Sequence, residues 1–161
     1  MKYPYNEAFM KRAIELSEIG SMQKKAGGVF GAVIVKDDKI ISEAYNSVRA
    51  LNDPTAHAEI LALREAGKKL GSFHLKDCIL YTSAECCPMC LTAAYWGHIE
   101  HIFYGATMQD ALKYGEFKDL NFRDEVCKDP KDRVIKSTQV MHEEAVKVWK
   151  KFHDMPDRAR Y

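Results

Sequence analysis

The sequence predicts an α/β protein in which a central mixed sheet of five strands is covered by helices on both faces. Three observations point to this. Short β-branched runs alternate along the chain with stretches of helical periodicity, the pattern of a sheet layered with helices. Two of the runs, GAVIVK and KIISEAY, are separated only by Asp37 and Asp38, a connection that fits an antiparallel hairpin. The 161 residues are 47% hydrophobic, enough for one continuous core. No repeat, low-complexity tract or Pro/Gly/Ser-rich linker divides them, so one domain over 1–161 is expected.

Taken in order, residues 6 to about 19 carry Phe9, Ala13, Leu16 and Gly20 at helical spacing, and Gly20 is expected to close that helix. The hairpin strands follow at residues 31–36 and 39–45. Asp53, Pro54 and Thr55 offer a cap and a first-turn proline for AHAEILALREAGKKLG, helical until Lys68 and Lys69 give way to Gly71. CILYTS, from Cys78 to Ser83, reads as a buried strand that leads to Cys87 and Pro88, where PMCLTAAYW begins another helix. IEHIFYG is the next strand. Beyond it the pattern predicts a short helix around Asp110 to Tyr114, an irregular charged stretch, a fifth strand at Arg133 to Val140 and a last helix from about His142 to Phe152.

Composition narrows the function. Lysine plus arginine (24) nearly balances aspartate plus glutamate (23), so no strong field draws the chain to a polyanion. A small-molecule substrate is expected, and a nucleic-acid partner is not. The opening MKYPYNEAFM has no apolar run of signal-peptide length, and no stretch approaches the roughly 20 apolar residues of a membrane span. The expectation is therefore no membrane association and a cytoplasmic location. Five cysteines are an odd number, and three of them crowd into ECCPMC, which suits metal binding in a reducing compartment better than a disulfide framework.

His57, Cys87 and Cys90 combine one imidazole with two thiolates, and the two-residue gap in CPMC lets both sulfurs reach one tetrahedral ion. Zinc is the implied metal. Cys87 is placed at a helix N-cap and Cys90 in its first turn, where the positive end of the macrodipole favours thiolates. Three protein ligands leave a fourth position for water, whose pKa zinc can lower to about 7. Glu59 lies two residues past His57, and on a regular helix such side chains do not share a face. The pair can act together if the helix begins within a few residues of His57, so that the ring points past the helix end and Glu59 reaches back as a proton shuttle.

Either half alone is weak, since redox sites and structural zinc knuckles also use CxxC. A closed, non-enzymatic zinc domain would need a fourth protein ligand such as Cys86, His74, Cys78 or Cys127. His98 and His101 in HIEH resemble a metal pair only if helical, and they fall in a predicted strand. HAE opening one helix and CPMC opening another after a short strand are together specific for base-deaminase chemistry.

At these residues the chain resembles the cytidine and deoxycytidylate deaminase superfamily and, within it, the bacterial guanine deaminases. The segments GGVFGAVIVKDDKII, NDPTAHAEI, CILYTSAECCPMC, AAYW and the terminal RARY carry the likeness, in the expected order. The resemblance implies a three-layer cytidine-deaminase-like fold, one zinc ion per chain, and hydrolysis of guanine to xanthine and ammonia. It implies that His57, Cys87 and Cys90 hold zinc and that Glu59 moves the proton. It further implies that Asn46 binds the ring by its amide, that Phe30 and Ala58 lie against the base, that Asp119 or Glu116 faces the purine, and that Tyr161 covers the pocket. A homodimer follows as the family expectation, with a C-terminal segment that in similar enzymes can cross to the neighbouring subunit.

Other readings stay open at some of these positions. Phe30 equally suits core packing, Asn46 a strand-end turn, Asp119 a solvated surface, and Tyr161 an unstructured tail. Two departures from the family pattern stand out: Cys86 where proline usually precedes the first ligand cysteine, and Val29 where GGPFG has proline. An inert, buried Cys86 is expected. Guanosine, cytosine, an aminotriazine or adenosine in tRNA are alternative substrates for the same chemistry.

Overall fold

A computed structural model of the chain describes residues 3–115 and 122–159. Its strands are β1 (Gly31–Lys36), β2 (Lys39–Tyr45), β3 (Ile79–Ala84) and β4 (His101–Ala106). Its helices are α1 (Glu7–Glu18), α2 (Val48–Leu51), α3 (Ala58–Leu70), α4 (Pro88–Trp96), α5 (Met108–Gly115), α6 (Phe122–Cys127) and α7 (His142–Asp154). The chain divides into two compact units, Met1–Phe122 and Arg123–Tyr161.

The sheet order is β2-β1-β3-β4, with β1 antiparallel to β2 and β3, and β3 parallel to β4. The sheet is mixed, as expected, but among the described residues it has four strands and not five. Residues 133–140, expected as the fifth strand, form none. There Val134 and Ile135 are adjacent, so an extended chain would turn them to opposite faces, and both stay exposed at 62% and 84%. Local β-propensity does not make a strand without a ladder to join.

Alternation along β1 splits the core in two. Ala32 and Ile34 pack with Leu80 in a cluster that includes Ala58, Ala62 and Cys90, whereas Val33 and Val35 pack with Tyr81, Met10, Ala13 and Leu16. Helices α3 and α4 therefore cover one face of the sheet and α1 the other. Complete burial of Ile34 and Leu80 stabilises this arrangement by about 1.5–3 kcal/mol each. The hairpin turns at Asp37 and Asp38, both at positive φ (49° and 56°), the pairing a tight primed turn requires.

Two helix ends differ from expectation. Gly20 does not close α1; the helix runs on as a π-helical turn, Ile19–Gln23. A Cβ at Gly20 would lie 2.6 Å from Cβ of Tyr45, so the glycine serves close packing on β2 instead of a cap. Asp53, Pro54 and Thr55 do not open α3 either: Asp53 Oδ1 accepts from the Thr55 N–H at 2.7 Å in a turn of their own. Helix α3 starts at Ala58 with His57 as its N-cap, and Gly71 in the left-handed region (φ 63°) ends it. The short helices α2 and α6 fall where no helix was expected. In the second unit, α7 follows the expected span, and its apolar residues Val148 and Trp149 are exposed. No helix of the described residues is long and apolar enough to cross a membrane.

Candidate metal centre

The beginnings of α3 and α4 meet at one end of the sheet, and each begins at a residue able to bind a metal. His57 is the N-cap of α3, in extended conformation at φ −68° and ψ 152°. Cys87 is the N-cap of α4 at φ −68° and ψ 166°; Pro88 follows at the first helical position, where its missing N–H costs nothing. Cys90, in the first turn of α4, is fully buried. Nδ1 of His57 lies 3.6 Å from Sγ of Cys87 and 3.5 Å from Sγ of Cys90.

Those separations fit an ion. Zinc bonded tetrahedrally at about 2.3 Å to sulfur and about 2.0–2.1 Å to nitrogen holds the two donors about 3.6 Å apart. The donor atoms of His57, Cys87 and Cys90 all lie within 4.8 Å of one another, and no fourth His, Cys, Asp or Glu among the described residues completes the set. The three can therefore hold a metal with a vertex left over. Neither His98 nor His101 takes part. His98 lies in the turn before β4, outside the strand expected for it, with its ring tilted against His74 at 4.5 Å, and His101 lies in β4 stacked on Tyr3 at 5.1 Å.

Electrostatics at the site favours the thiolate of Cys87. The nearby Cys90 thiol, with His57 and the Cys90 backbone N–H, brings the Cys87 thiol down to about 4. Cys90 is pushed up as the partner that keeps the proton, and His57 is raised by its bond to the Cys87 sulfur. Cys86, 5% exposed, is pushed well up by burial and then by the charge of Glu59. Cys86 lies outside the donor set of His57, Cys87 and Cys90.

Glu59 is the second residue of α3 and 3% exposed. Its Oε2 has no hydrogen-bond partner, and burial raises its pKa. Because His57 is a cap with extended backbone, the face rule for residues two apart on a helix does not separate the two side chains. An orphaned buried carboxylate oxygen costs stability and is tolerated where chemistry uses it.

The remaining expected residues are distributed unevenly. Ala58 is fully buried in the cluster that contains Cys90, and Phe30 packs against that cluster half-buried. Asn46, 4% exposed, accepts at Oδ1 from the backbone N–H groups of Gly28 (3.2 Å) and Val48 (3.3 Å), so its oxygen does turn the strand end. Ser47 N–H donates to the carbonyl of Ala56 at 2.9 Å, which ties the end of β2 beside His57. Asp119, Glu116 and Tyr161 lie outside the described residues. The part of Gly27 and Gly28 went unseen in the sequence, although paired glycines before a strand are a signal of close backbone approach.

Comparison with known proteins agrees with the geometry. Residues 4–106 match the model of the cytidine and deoxycytidylate deaminase zinc-binding region. The chain is 47% identical over 150 residues to the guanine deaminase of Bacillus subtilis, an alignment that covers 91% of this chain and 95% of that one. To the tRNA-specific adenosine deaminase of Aquifex aeolicus it is 43% identical over 100 residues, covering 62% of this chain and 65% of the other, so that likeness stops short. The X-ray structure of the Bacillus subtilis guanine deaminase superposes with a TM-score of 0.92 at 44% identity, covering 98% of this chain and 99% of that one.

Proposed function

Because the chain belongs to the cytidine and deoxycytidylate deaminase family, we propose that it is a zinc-dependent aminohydrolase that converts guanine to xanthine and ammonia. The observation that carries the reading is the donor triangle of His57, Cys87 and Cys90 at zinc-like spacing, with the unpartnered Oε2 of Glu59 buried beside it. Nδ1 of His57 and the two sulfurs would hold the metal. When bound, zinc supplies a Lewis acid that makes water nucleophilic near neutral pH.

Glu59 performs the proton transfers. It takes a proton from the attacking water and passes it to a ring nitrogen, then takes the proton of the new C2 hydroxyl and delivers it to the departing amino group. The bond from water oxygen to C2 forms, the bond from C2 to the amino nitrogen breaks, and the nitrogen leaves as ammonia. A dry carboxylate with a raised pKa is a stronger base than a surface glutamate, and this supports the assignment. Asn46 binds the ring through its amide, and Phe30 and Ala58 line the base.

Both compact units are read as one deaminase domain, because the guanine deaminase likeness runs through both. The working form is a homodimer with C-terminal exchange. Exposed Tyr95 and Trp96 on α4, at 75% and 65%, and the apolar stripe of α7 support a covering partner. Unpaired thiols at the metal site suit the cytoplasm.

An ammonia-release screen over guanine, guanosine, cytosine, adenine, aminotriazines and adenosine in tRNA tests the proposal. Turnover of guanine well above the others is expected. Deamination of adenosine in tRNA with none of free guanine would instead favour the reading that the Aquifex aeolicus likeness suggests.

A further inference from the structure

The side chain of Asn46 is held in one orientation by its surroundings. Two backbone N–H groups, of Gly28 at 3.2 Å and of Val48 at 3.3 Å, point at the same atom of its carboxamide. A backbone N–H can only donate, so the atom that faces both is the oxygen, and the amide cannot be flipped without setting donor against donor. Nδ2 makes no hydrogen bond to the described residues. Room for this arrangement exists because Gly27 has no side chain: a Cβ there would lie 1.9 Å from Oδ1 and 3.0 Å from Cγ of Asn46. The backbone of Asn46 is fixed as well, its N–H donating to the Phe30 carbonyl at 2.9 Å.

We propose that Gly27 and Gly28 are positioning residues that set the hydrogen-bonding polarity of Asn46. Gly27 leaves space for the carboxamide and Gly28 occupies its acceptor, so Asn46 meets the substrate as a donor only. The ring edge received there must carry an acceptor, a ring nitrogen lone pair or a carbonyl oxygen, and an edge bearing N–H is rejected because two donors would face each other unpaired. This rests on the reading that Asn46 faces the substrate.

The test is a double-mutant cycle with substrate analogues on the zinc-loaded enzyme. Gly27→Ala is expected to raise KM for guanine about tenfold or more, with kcat within about threefold and zinc content unchanged. Asn46→Ala should do the same, and the double variant should be no worse than Asn46→Ala alone, as for residues that act through one another. Between 7-deazaguanine, which lacks the N7 acceptor, and 2-aminopurine, which lacks the O6 acceptor and exchanges N1–H for a lone pair, one should show a KM raised about tenfold in the wild type and not in either variant. If Gly27→Ala does not fold, Asn46→Asp serves: it keeps the pinned oxygen, replaces the donor by an acceptor, and should raise KM about tenfold or more. Additive effects of Gly27→Ala and Asn46→Ala, an unchanged KM in Asn46→Asp, or an analogue penalty that survives in both variants would overturn the proposal. Wild-type turnover is measured first and tests the guanine assignment separately; should another ring be the substrate, the cycle is run on that ring and on its analogues lacking single acceptors.

Discussion

Nδ1 of His57 lies 3.5 Å from Sγ of Cys90, although the two residues are 33 apart in the chain. Each stands at the start of a different helix, and the helices are brought together by packing on one face of the sheet. A metal joined to both would therefore tie α3 to α4, so zinc should contribute to folding as well as to chemistry. Removing it with a strong chelator is expected to abolish ammonia release and to lower Tm, with recovery on adding back zinc. Cys90→Ala should lower zinc affinity more than 100-fold, beyond the range of outer-sphere changes. Elemental analysis giving one zinc per chain in Cys90→Ala would rule out this sulfur as a ligand.

Glu59→Gln separates chemistry from metal binding. Loss of a proton shuttle slows turnover by about 10²–10⁴-fold, while zinc content should stay at the wild-type level. The same change removes a buried carboxylate whose Oε2 has no partner, so Tm is expected to hold or rise. Loss of zinc in this variant would mean that Glu59 belongs to the metal and not to the substrate.

Gly20→Ala should act against the usual rule for helices. Alanine in place of a helical glycine ordinarily stabilises by about 0.5–1 kcal/mol. Here the added Cβ would sit 2.6 Å from Cβ and 2.7 Å from the ring of Tyr45. Overpacking of this kind should leave a net loss of about 1–2 kcal/mol, or about 2–8 °C in Tm. A thermal melt that shifts upward would show that the π-helical turn yields easily.

Glu43 gives a pH signature far from the metal. Arg12 donates from Nε to Oε2 at 2.9 Å and from Nη2 to Oε1 at 2.5 Å, and these bonds hold the Glu43 carboxyl below the usual glutamate range. A depressed pKa means stability that is complete above the unfolded value of about 4.3 and lost as pH falls through the folded value. Glu43→Gln should cost up to about 1 kcal/mol at pH 7, the range for a partly exposed pair. The gap to wild type should close below about pH 4. Denaturant titrations of both proteins across that range check it; a gap that does not change would show that the bidentate pair contributes nothing.

Features governed by neighbours in the chain were legible from the sequence. The turn at Asp37 and Asp38, the start of α3 next to His57, the first-turn Pro88 of α4 and the close of α3 at Gly71 all depend on a few consecutive residues. Two of the failures have the opposite cause. Gly20 reads as a helix stop until Tyr45 is known to lie on it, and residues 133–140 read as a strand until a ladder is sought for them. Asp53 and Pro54 have a helix-opening signature that a local turn claims first.

By itself, the order of residues determined which groups are available: one imidazole, two sulfurs three positions apart, a carboxylate two past the imidazole, and an asparagine at a strand end. It also determined that α4 would begin at Cys87 and Pro88, because the placement of a first-turn proline is local. Tertiary structure alone decided that the imidazole nitrogen and both sulfurs share one small volume, that the Glu59 oxygen is left dry and unpaired, and that Asn46 turns its oxygen inward. The physical reason is that distance, desolvation and the direction of a hydrogen bond belong to pairs of groups, and here the pairs form only when β1, β3 and the two helices above them pack into a single core.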